Sequence, residues 1–269
     1  MNHSILRHAL LAAPLLAASV LAFAPPAHAQ RPDTLGKPIT APEWRAGVLA
    51  TYEAVGNDLP DWHTVSASLG RKTPAFSWNA EVLEARRFEQ SDVAGVLDLY
   101  ADLWRGAYGN VRVQAAPEAT ILPGADVSLN VFQAVARVWE VGAGYRGLWF
   151  EDDRVNLLSA SLARYAGNYF LQGRATAVPK DGRVVGSVIA LARRYYATAD
   201  DFAEVLAGTG SEVVTIGVGP QIDVRRSTFV AARLQRRVRG PFTLTAGAGY
   251  TDDEVFSRWS VTAGAGVRW

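Results

Sequence analysis

Apolar and polar residues alternate with a period of two along most of this chain, beginning at Trp44. The pattern is clearest in the last segment, where odd positions from Trp259 to Trp269 are apolar and even positions from Arg258 to Arg268 are small or polar. Successive side chains of a β-strand point to opposite faces. The alternation therefore predicts strands with one apolar face, and no segment has the 3.6-residue apolar periodicity of a long helix.

The same alternation, interrupted by turn residues, predicts fourteen strands. They are 44–54, 62–71, 76–88, 94–105, 108–117, 125–135, 138–149, 155–165, 168–178, 184–196, 201–208, 226–237, 241–250 and 257–269. Two of them, 155–165 and 184–196, are apolar on both faces in places, so twelve strands are an alternative. The fold class predicted is all-β, a transmembrane antiparallel up-and-down β-barrel.

The predicted connections alternate in length along the chain. Those at 72–75, 106–107, 136–137, 166–167, 197–200 and 238–240 are short, and those at 55–61, 89–93, 118–124, 150–154, 179–183, 209–225 and 251–256 are mostly longer. Short turns on one rim and longer loops on the other are typical of outer-membrane barrels. A strand at 211–219 would place a long connection on the short side, so that segment is predicted to be loop.

The polar face of the strands separates a membrane barrel from a soluble one. A soluble barrel turns a Lys- and Glu-rich face to water, whereas this face carries Ser, Thr, Asn, Gly and Gln with scattered Arg and Asp. After residue 29, lysine occurs only at Lys37, Lys72 and Lys180, in the predicted tail and turns. Charge on a lipid-facing strand costs about 2–4 kcal/mol at mid-membrane, so the pattern favours a barrel whose outer surface is lipid.

Aromatic residues cluster near the predicted strand ends, as in the interfacial girdles of membrane barrels. They are Trp44, Tyr52, Trp62, Tyr100, Trp104, Tyr145, Trp149, Tyr165, Tyr169, Tyr195, Tyr196, Tyr250, Trp259 and Trp269. The terminal Trp269 closes an alternating strand and resembles the C-terminal signal that the barrel-assembly machinery reads during insertion.

The first 29 residues have the features of a secretory leader. Arg7 precedes an apolar stretch from Ala9 to Ala24, and Ala27 and Ala29 give the small residues of a cleavage site. Cleavage is predicted after Ala29. The predicted organisation is thus a signal peptide at 1–29, a periplasmic tail at 30–43 and an outer-membrane β-barrel at 44–269.

Composition and charge narrow the function classes. The formal net charge of the 269-residue chain is +1, which indicates no nucleic-acid partner, and there are no cysteines for disulfides or thiolate chemistry. The only histidine beyond the leader is His63. Ser66 and Ser68 of the same predicted strand point to the opposite face, so His63 lacks a catalytic partner there. We therefore expect no catalytic residues, no cofactor and no metal site.

Two carboxylate runs, 151–153 and 252–254, could bind Ca²⁺, but neither has the spacing of a calcium loop. Hydrated loops, or contact with ions bound to lipopolysaccharide, are the simpler interpretation. The predicted partners are thus outer-membrane lipid and lipopolysaccharide, with the assembly machinery during insertion; the sequence does not define an oligomeric state.

Several segments resemble the YaiO family of outer-membrane β-barrels. They include Gly144-Tyr145-Arg146, the block from Ala163 to Phe170, and the segments 193–196, 200–202 and 208–210, within a likeness that spans roughly 44–269. The resemblance implies an outer-membrane location and no established biochemical activity.

The barrel lumen is the remaining candidate site. Charged residues that can face inward are Arg86, Arg112, Arg146, Arg164, Arg174, Arg194 and Arg233, with Glu53, Asp98, Asp102, Glu140 and Glu204. They form either a paired network that fills the barrel or a narrow solute path with a field across it. The functional hypotheses are a non-enzymatic barrel, as narrow channel or structural envelope protein, and a lipid- or lipopolysaccharide-modifying barrel enzyme.

Overall fold

A computed structural model describes residues 13–14, 42–74, 76–151, 153–180, 182–215 and 222–269. The predicted cleavage site after Ala29 and most of the tail lie outside these ranges. Within the predicted leader, Ala13–Pro14 form a two-residue strand that pairs with Val214 and Thr215. The rest of the described chain is built from fourteen long strands.

The strands follow one another around the barrel in chain order, each antiparallel to the next. They are β1 Glu43–Val55, β2 Trp62–Lys72, β3 Phe76–Arg87, β4 Gln90–Trp104, β5 Ala107–Ala115, β6 Ala125–Ala134, β7 Trp139–Trp149, β8 Arg154–Ala166, β9 Tyr169–Lys180, β10 Arg183–Tyr195, β11 Phe202–Thr215, β12 Ile222–Arg239, β13 Phe242–Asp253 and β14 Ser257–Arg268. In the part of the chain that the structure describes, no helix has the length and apolar character needed to cross a membrane.

The sheet closes on itself where β14 pairs with β1. The register runs from Arg258 opposite Val55 to Arg268 opposite Arg45. Closure removes both edge strands, so the backbone groups of the first and last strands are satisfied within the barrel. The prediction of an all-β antiparallel barrel with fourteen strands is confirmed.

Alternation decides which side chains meet lipid. On β14, Trp259 and Val261 are 65% and 56% exposed on the outer surface. Thr262, which points to the opposite face, is only 7% exposed. Strand β1 follows the same rule, with Val48 outside and Glu53 inside. The outer surface is therefore apolar and the lumen carries the polar face, as the sequence pattern predicts.

The two rims are named by the chain ends. The terminal rim carries Glu43 and Trp269, and strands β2, β4, β6, β8, β10 and β12 end there; its fully described connections are 105–106, 135–138, 167–168, 196–201 and 240–241. The far rim is where strands β1, β3, β5, β7, β9, β11 and β13 end; its fully described connections are 56–61, 88–89, 116–124 and 254–256.

Three connections depart from the predicted lengths. The loop predicted at 89–93 is a two-residue turn at 88–89, and the one predicted at 179–183 is shortened because β9 reaches Lys180 and β10 starts at Arg183. The long loop predicted at 209–225 is mostly strand, since β11 reaches Thr215 and β12 starts at Ile222. Phe88 and Glu89 have φ values of 50° and 65°, the left-handed conformation that a tight hairpin requires. The sequence contained no Gly or Asn at that turn to indicate it.

Candidate functional site: the barrel lumen

A belt of charged and amide side chains crosses the lumen wall from β4 to β9. Arg112 Nη1 lies 2.6 Å from Asp98 Oδ2, and Arg146 Nε donates to Asp126 Oδ1 at 2.9 Å. Further along, Arg174 Nη2 donates to Ser159 Oγ at 3.0 Å. These three contacts each join adjacent strands, and Arg174 Nη2 also donates to Asn130 Oδ1 on β6, three strands away. The belt is therefore held by contacts between strands.

The wall opposite this belt is lined by small residues. Its inward positions on β1, β2, β13 and β14 include Gly47, Thr51, Ser66, Ser68, Gly247, Gly249, Ser260, Thr262 and Gly264. Several of them, such as Ser68, Gly249 and Ser260, are partly exposed although they face inward. Short side chains on one wall leave open space in front of the long arginines on the other.

A cavity with about 880 Å³ of empty space, part of it open solvent, lies against β6 to β11. Its lining includes polar residues, among them Asn130, Arg146, Gln172 and Arg174, and apolar residues, namely Leu157, Val178, Ile189, Leu191 and Leu206. Both kinds occur on the same strands, as with Arg174 and Val178 on β9, so the cavity surface is mixed in polarity.

An aromatic cluster packs on the lumen wall of β9 to β11, between this cavity and the terminal rim. Phe170, Tyr195 and Phe202 are at most 5% exposed and pack with Leu191 and Leu206. Beside them Glu204 accepts from Arg193 Nε at 2.8 Å, and its other carboxylate oxygen lies 2.6 Å from Arg233 Nη2. The guanidinium of Arg193 lies over the Phe202 ring, 4.4 Å from its centroid.

The far mouth is narrowed by the nine-residue loop 116–124, which folds into the barrel. Ile121 and Leu122 are 3% and 7% exposed and pack against Ala85 and Ala94 of the lumen wall. The carboxylate of Asp92, on β4, accepts from the backbone N–H groups of residues 120, 121 and 122 at 2.8–3.0 Å and from the Thr120 hydroxyl at 2.6 Å. One inward carboxylate therefore holds the segment 120–122 of this loop against the barrel wall.

Trp62 occupies the other side of the far mouth and is fully buried. The guanidinium groups of Arg87 and Arg258 lie 5.2 and 4.8 Å from the centroid of its rings. Arg258 Nη1 also donates to Glu53 Oε1 at 3.0 Å. A cation over an indole face is attracted by the ring quadrupole, so the two guanidinium groups stabilise the position of Trp62 in the lumen wall.

The terminal mouth is crossed by the turn 196–201. Asp200 accepts from Arg45 Nη1 of β1 at 2.8 Å and from Arg268 Nη1 of β14 at 2.7 Å. Strands β12 and β13 lie between β11 and β14, and β1 lies beyond β14, so the turn must extend over the opening to reach both arginines. The sequence predicted a short ordinary turn at 197–200, because nothing local indicates a partner on β1.

The prediction that twelve charged residues face the lumen holds for most of them and fails for three. Arg112, Arg146, Arg174, Arg233, Glu53, Asp98, Glu140 and Glu204 lie on the lumen face, and Asp102 is exposed at the terminal mouth. Arg86, Arg164 and Arg194 instead point outward near a rim. Their strand neighbours Arg87 and Arg193 are the inward residues, at 2% and 3% exposed.

The girdle prediction fails for the residues that turn inward. Trp62 and Tyr195 are buried in the lumen, and Tyr100 and Tyr165 lie on the inward face. Trp104 keeps its predicted girdle position and is 59% exposed on the outer surface. Strict alternation from the inward Asp98 would place it in the lumen, but a bulge between Asp102 and Trp104 shifts the alternation by one residue.

Several lumen residues were not identified from the sequence. Asp92, Asp126 and Asp200 make the contacts described above, but none of them was among the charged residues predicted to face the lumen. Strand parity could have selected Asp126, which shares a face with Ser128 and Asn130. The partners of Asp200 could not be found in this way, since they lie 155 and 68 residues away.

His63 lies on the outer surface of β2 and stacks on Tyr52, with ring centroids 5.7 Å apart. The Tyr52 hydroxyl donates to Asp61, and this bond lowers the pKa of the Asp61 carboxyl. Ser66 and Ser68 face the lumen. Among the described residues, no group of three or more His, Asp or Glu side chains is placed to hold a metal ion.

A closed antiparallel barrel with an apolar outer surface and a charged lumen is an outer-membrane β-barrel. The chain belongs to the YaiO family, because the family model described as the YaiO membrane beta barrel domain matches residues 44–214. No protein among those of curated function matches the sequence.

Solved structures share the architecture at low identity. Omp33, an outer-membrane protein of Acinetobacter baumannii, is similar with a TM-score of 0.51 and 10% identity over 84% of this chain and 99% of that one. The monoaromatic hydrocarbon channel CymD gives 0.49 at 8% identity, over 86% and 88% of the two chains. OpdQ of Pseudomonas aeruginosa gives 0.49 at 4% identity, over 85% and 98%. The likeness to Omp33 is one of fold.

Proposed function

We propose that the protein is a non-enzymatic outer-membrane barrel that acts as a narrow channel for small solutes. The observation that carries this proposal is the division of the lumen into a charged wall and a wall of small residues. Space between two such walls can hold water, and a field across it acts on a passing solute.

Two segments limit the path, and both are held by a carboxylate. Loop 116–124 depends on Asp92 at the far mouth, and turn 196–201 depends on Asp200 at the terminal mouth. The conductance of such a barrel is expected to be small because each mouth is partly covered.

A structural, non-conducting role is the second candidate. It is favoured by the pairing of the lumen charges, for example Arg193 and Arg233 with Glu204, and by the aromatic cluster beneath the cavity. A lumen filled in this way would give rigidity without a path. The enzyme alternative receives no support from the lumen, since His63 lies on the outer surface, away from the inward Ser66 and Ser68.

The orientation and the export route belong to the same proposal. The terminal rim faces the periplasm, the leader is removed after Ala29, and residues 30–43 are a periplasmic tail. Outer-membrane lipid and lipopolysaccharide surround the barrel, and the assembly machinery inserts it.

Single-barrel recordings in planar bilayers test the proposal. Wild-type protein should give small conductance steps, and Asp200→Ala should enlarge them because the turn loses both arginine partners. Asp102→Ala, an exposed acid at the same rim, is the matched control and should leave the steps unchanged. Silent bilayers with folded wild-type protein and folded Asp200→Ala would favour the structural role.

A further inference from the structure

Arginines on the outer surface of the terminal rim lie over aromatic rings in a repeated arrangement. Arg71 lies over Trp44 with its guanidinium carbon 5.3 Å from the ring centroid, and Arg164 lies over Trp139 at 5.3 Å. Arg194 lies between Tyr169 and Tyr196, at 5.7 and 5.4 Å. These three arginines, called here the basic collar, are exposed and lie within two residues of the end of their strands.

The rings fix the height of the collar in the membrane. Trp44, Trp139 and Tyr169 face outward at the same rim, and Trp and Tyr side chains settle at the membrane–water interface. A guanidinium over such a ring is therefore held at the level of the lipid headgroups. The fork of N–H groups on a guanidinium matches the geometry of a phosphate, which it can contact in pairs.

The charge of the described surface differs between the two rims. Near the collar, further exposed arginines lie at Arg105, Arg137 and Arg239, whereas Asp102 is the exposed acid of that rim in the described residues. At the far rim, exposed arginines such as Arg86 and Arg154 are accompanied by exposed acids.

Those acids are spread over the far-rim connections and strand ends. They include Asp58, Glu84, Glu89, Glu118, Asp153 and Glu254. The exposed positive charge of the terminal rim therefore attracts an anionic lipid surface. The far rim has no comparable excess of positive charge.

We propose that the basic collar binds the phosphate headgroups of anionic phospholipids in the leaflet at the terminal rim. The ligand class is a phosphodiester lipid with a net negative charge, such as phosphatidylglycerol. Each arginine near an anionic membrane surface adds roughly five-fold to the association, so three arginines give a preference over neutral lipid of about a hundred-fold. Aromatic neighbours and strand ends place these groups at one height, and the lipids form a partial ring around the barrel.

The test is native mass spectrometry of the folded barrel in detergent, titrated with phosphatidylglycerol or phosphatidylcholine. The triple variant Arg71→Gln, Arg164→Gln, Arg194→Gln should lose at least tenfold in affinity for phosphatidylglycerol. Its binding of phosphatidylcholine should not change. The matched control is Arg86→Gln, Arg154→Gln, Arg226→Gln at the far rim. Arg154 also lies over a ring, 4.8 Å from the centroid of Trp149, but the exposed acids of that rim should offset its charge, so this variant should bind phosphatidylglycerol like the wild type.

Equal losses in the two triple variants, or none in the collar variant, would overturn the proposal. So would a collar that prefers purified lipopolysaccharide over phosphatidylglycerol, because its phosphates would then be the ligand. Heat-modifiable mobility on cold gels identifies folded protein in every sample. If the triple variant does not fold, Arg194→Gln alone should lower the affinity about five-fold, and Arg194→Lys, which keeps the charge but loses the paired N–H contacts, should restore only part of it.

Discussion

The backbones of Trp44 and Trp269 hydrogen-bond to each other in both directions, with Trp44 N–H donating to Trp269 O at 2.9 Å and Trp269 N–H donating to Trp44 O at 3.1 Å. This pair is the last rung between β14 and β1, at the terminal rim. The residue that resembles the insertion signal therefore also finishes the seam that closes the barrel.

Deleting Trp269 should lower the yield of folded barrel, because the seam loses its final rung and the assembly machinery loses its aromatic end. The amount of heat-modifiable protein in the outer-membrane fraction measures this. Trp269→Phe keeps an aromatic and both backbone bonds and should assemble normally. Equal yields from the deletion and from Trp269→Phe would contradict the assigned role.

Arginine at Ala263 should reduce the free energy of unfolding by about 2–4 kcal/mol, because that position faces outward in the middle of β14. Urea titration in lipid vesicles measures the change. Ala263→Leu is the control and should be close to neutral, since lipid accepts an apolar side chain. A cysteine at 263 should react with a membrane-confined probe, whereas one at the inward Ser260 should react with a water-soluble probe. The reverse order of labelling would refute this register.

Replacing Asp92 by Ala should free loop 116–124 from the far mouth, since the backbone N–H groups of residues 120–122 and the Thr120 hydroxyl lose their common acceptor. In planar bilayers we expect larger and noisier conductance steps. Glu118→Gln changes an exposed charge in the same loop and serves as the control. Indistinguishable traces from Asp92→Ala and wild type would show that the loop does not limit the path.

Glu204→Gln should destabilise the barrel by about 3–5 kcal/mol, because the Arg193–Glu204–Arg233 group is buried and loses the charge shared by two guanidiniums. Equilibrium unfolding in urea measures the loss. Arg237→Gln, an exposed arginine on β12, should change stability by less than about 0.5 kcal/mol. A small effect of Glu204→Gln would mean that water replaces the lost ion pairs.

An intact mass starting at Gln30 is expected for protein purified from the envelope, because the Ala27-His28-Ala29 site follows a single apolar stretch. Mass spectrometry measures it directly. Ala29→Arg should block processing at this site, whereas Ala29→Ser keeps a small residue and should be cleaved. A mature chain that retains Met1 would be incompatible with the proposed leader.

The sequence by itself determined the number and order of the long strands and, where the two faces differ in polarity, their orientation, although it placed several strand ends too early or too late. On β1 and β14 every second residue is apolar, so the alternation alone assigns the lipid face of both strands. The reason is physical: alternation is a local property of extended backbone, and lipid tolerates few polar groups on the face that it covers.

Only the tertiary structure decided orientation where both faces are apolar. On β10, Val184 and Val188 face lipid while Ile189 and Leu191 pack inside, so hydrophobicity alone could not place Arg193 inward and Arg194 outward. The bulge before Trp104 likewise reverses a face without a local signal.

The tertiary structure also decided how the two mouths are covered. Asp92 reaches a loop 28–30 residues away, and Asp200 reaches Arg45 across 155 residues. Such contacts exist only after the sheet has closed and brought distant strands to the same opening. A period-two pattern specifies which side of a strand meets lipid, whereas closure and the path of the loops specify which charges meet in the lumen.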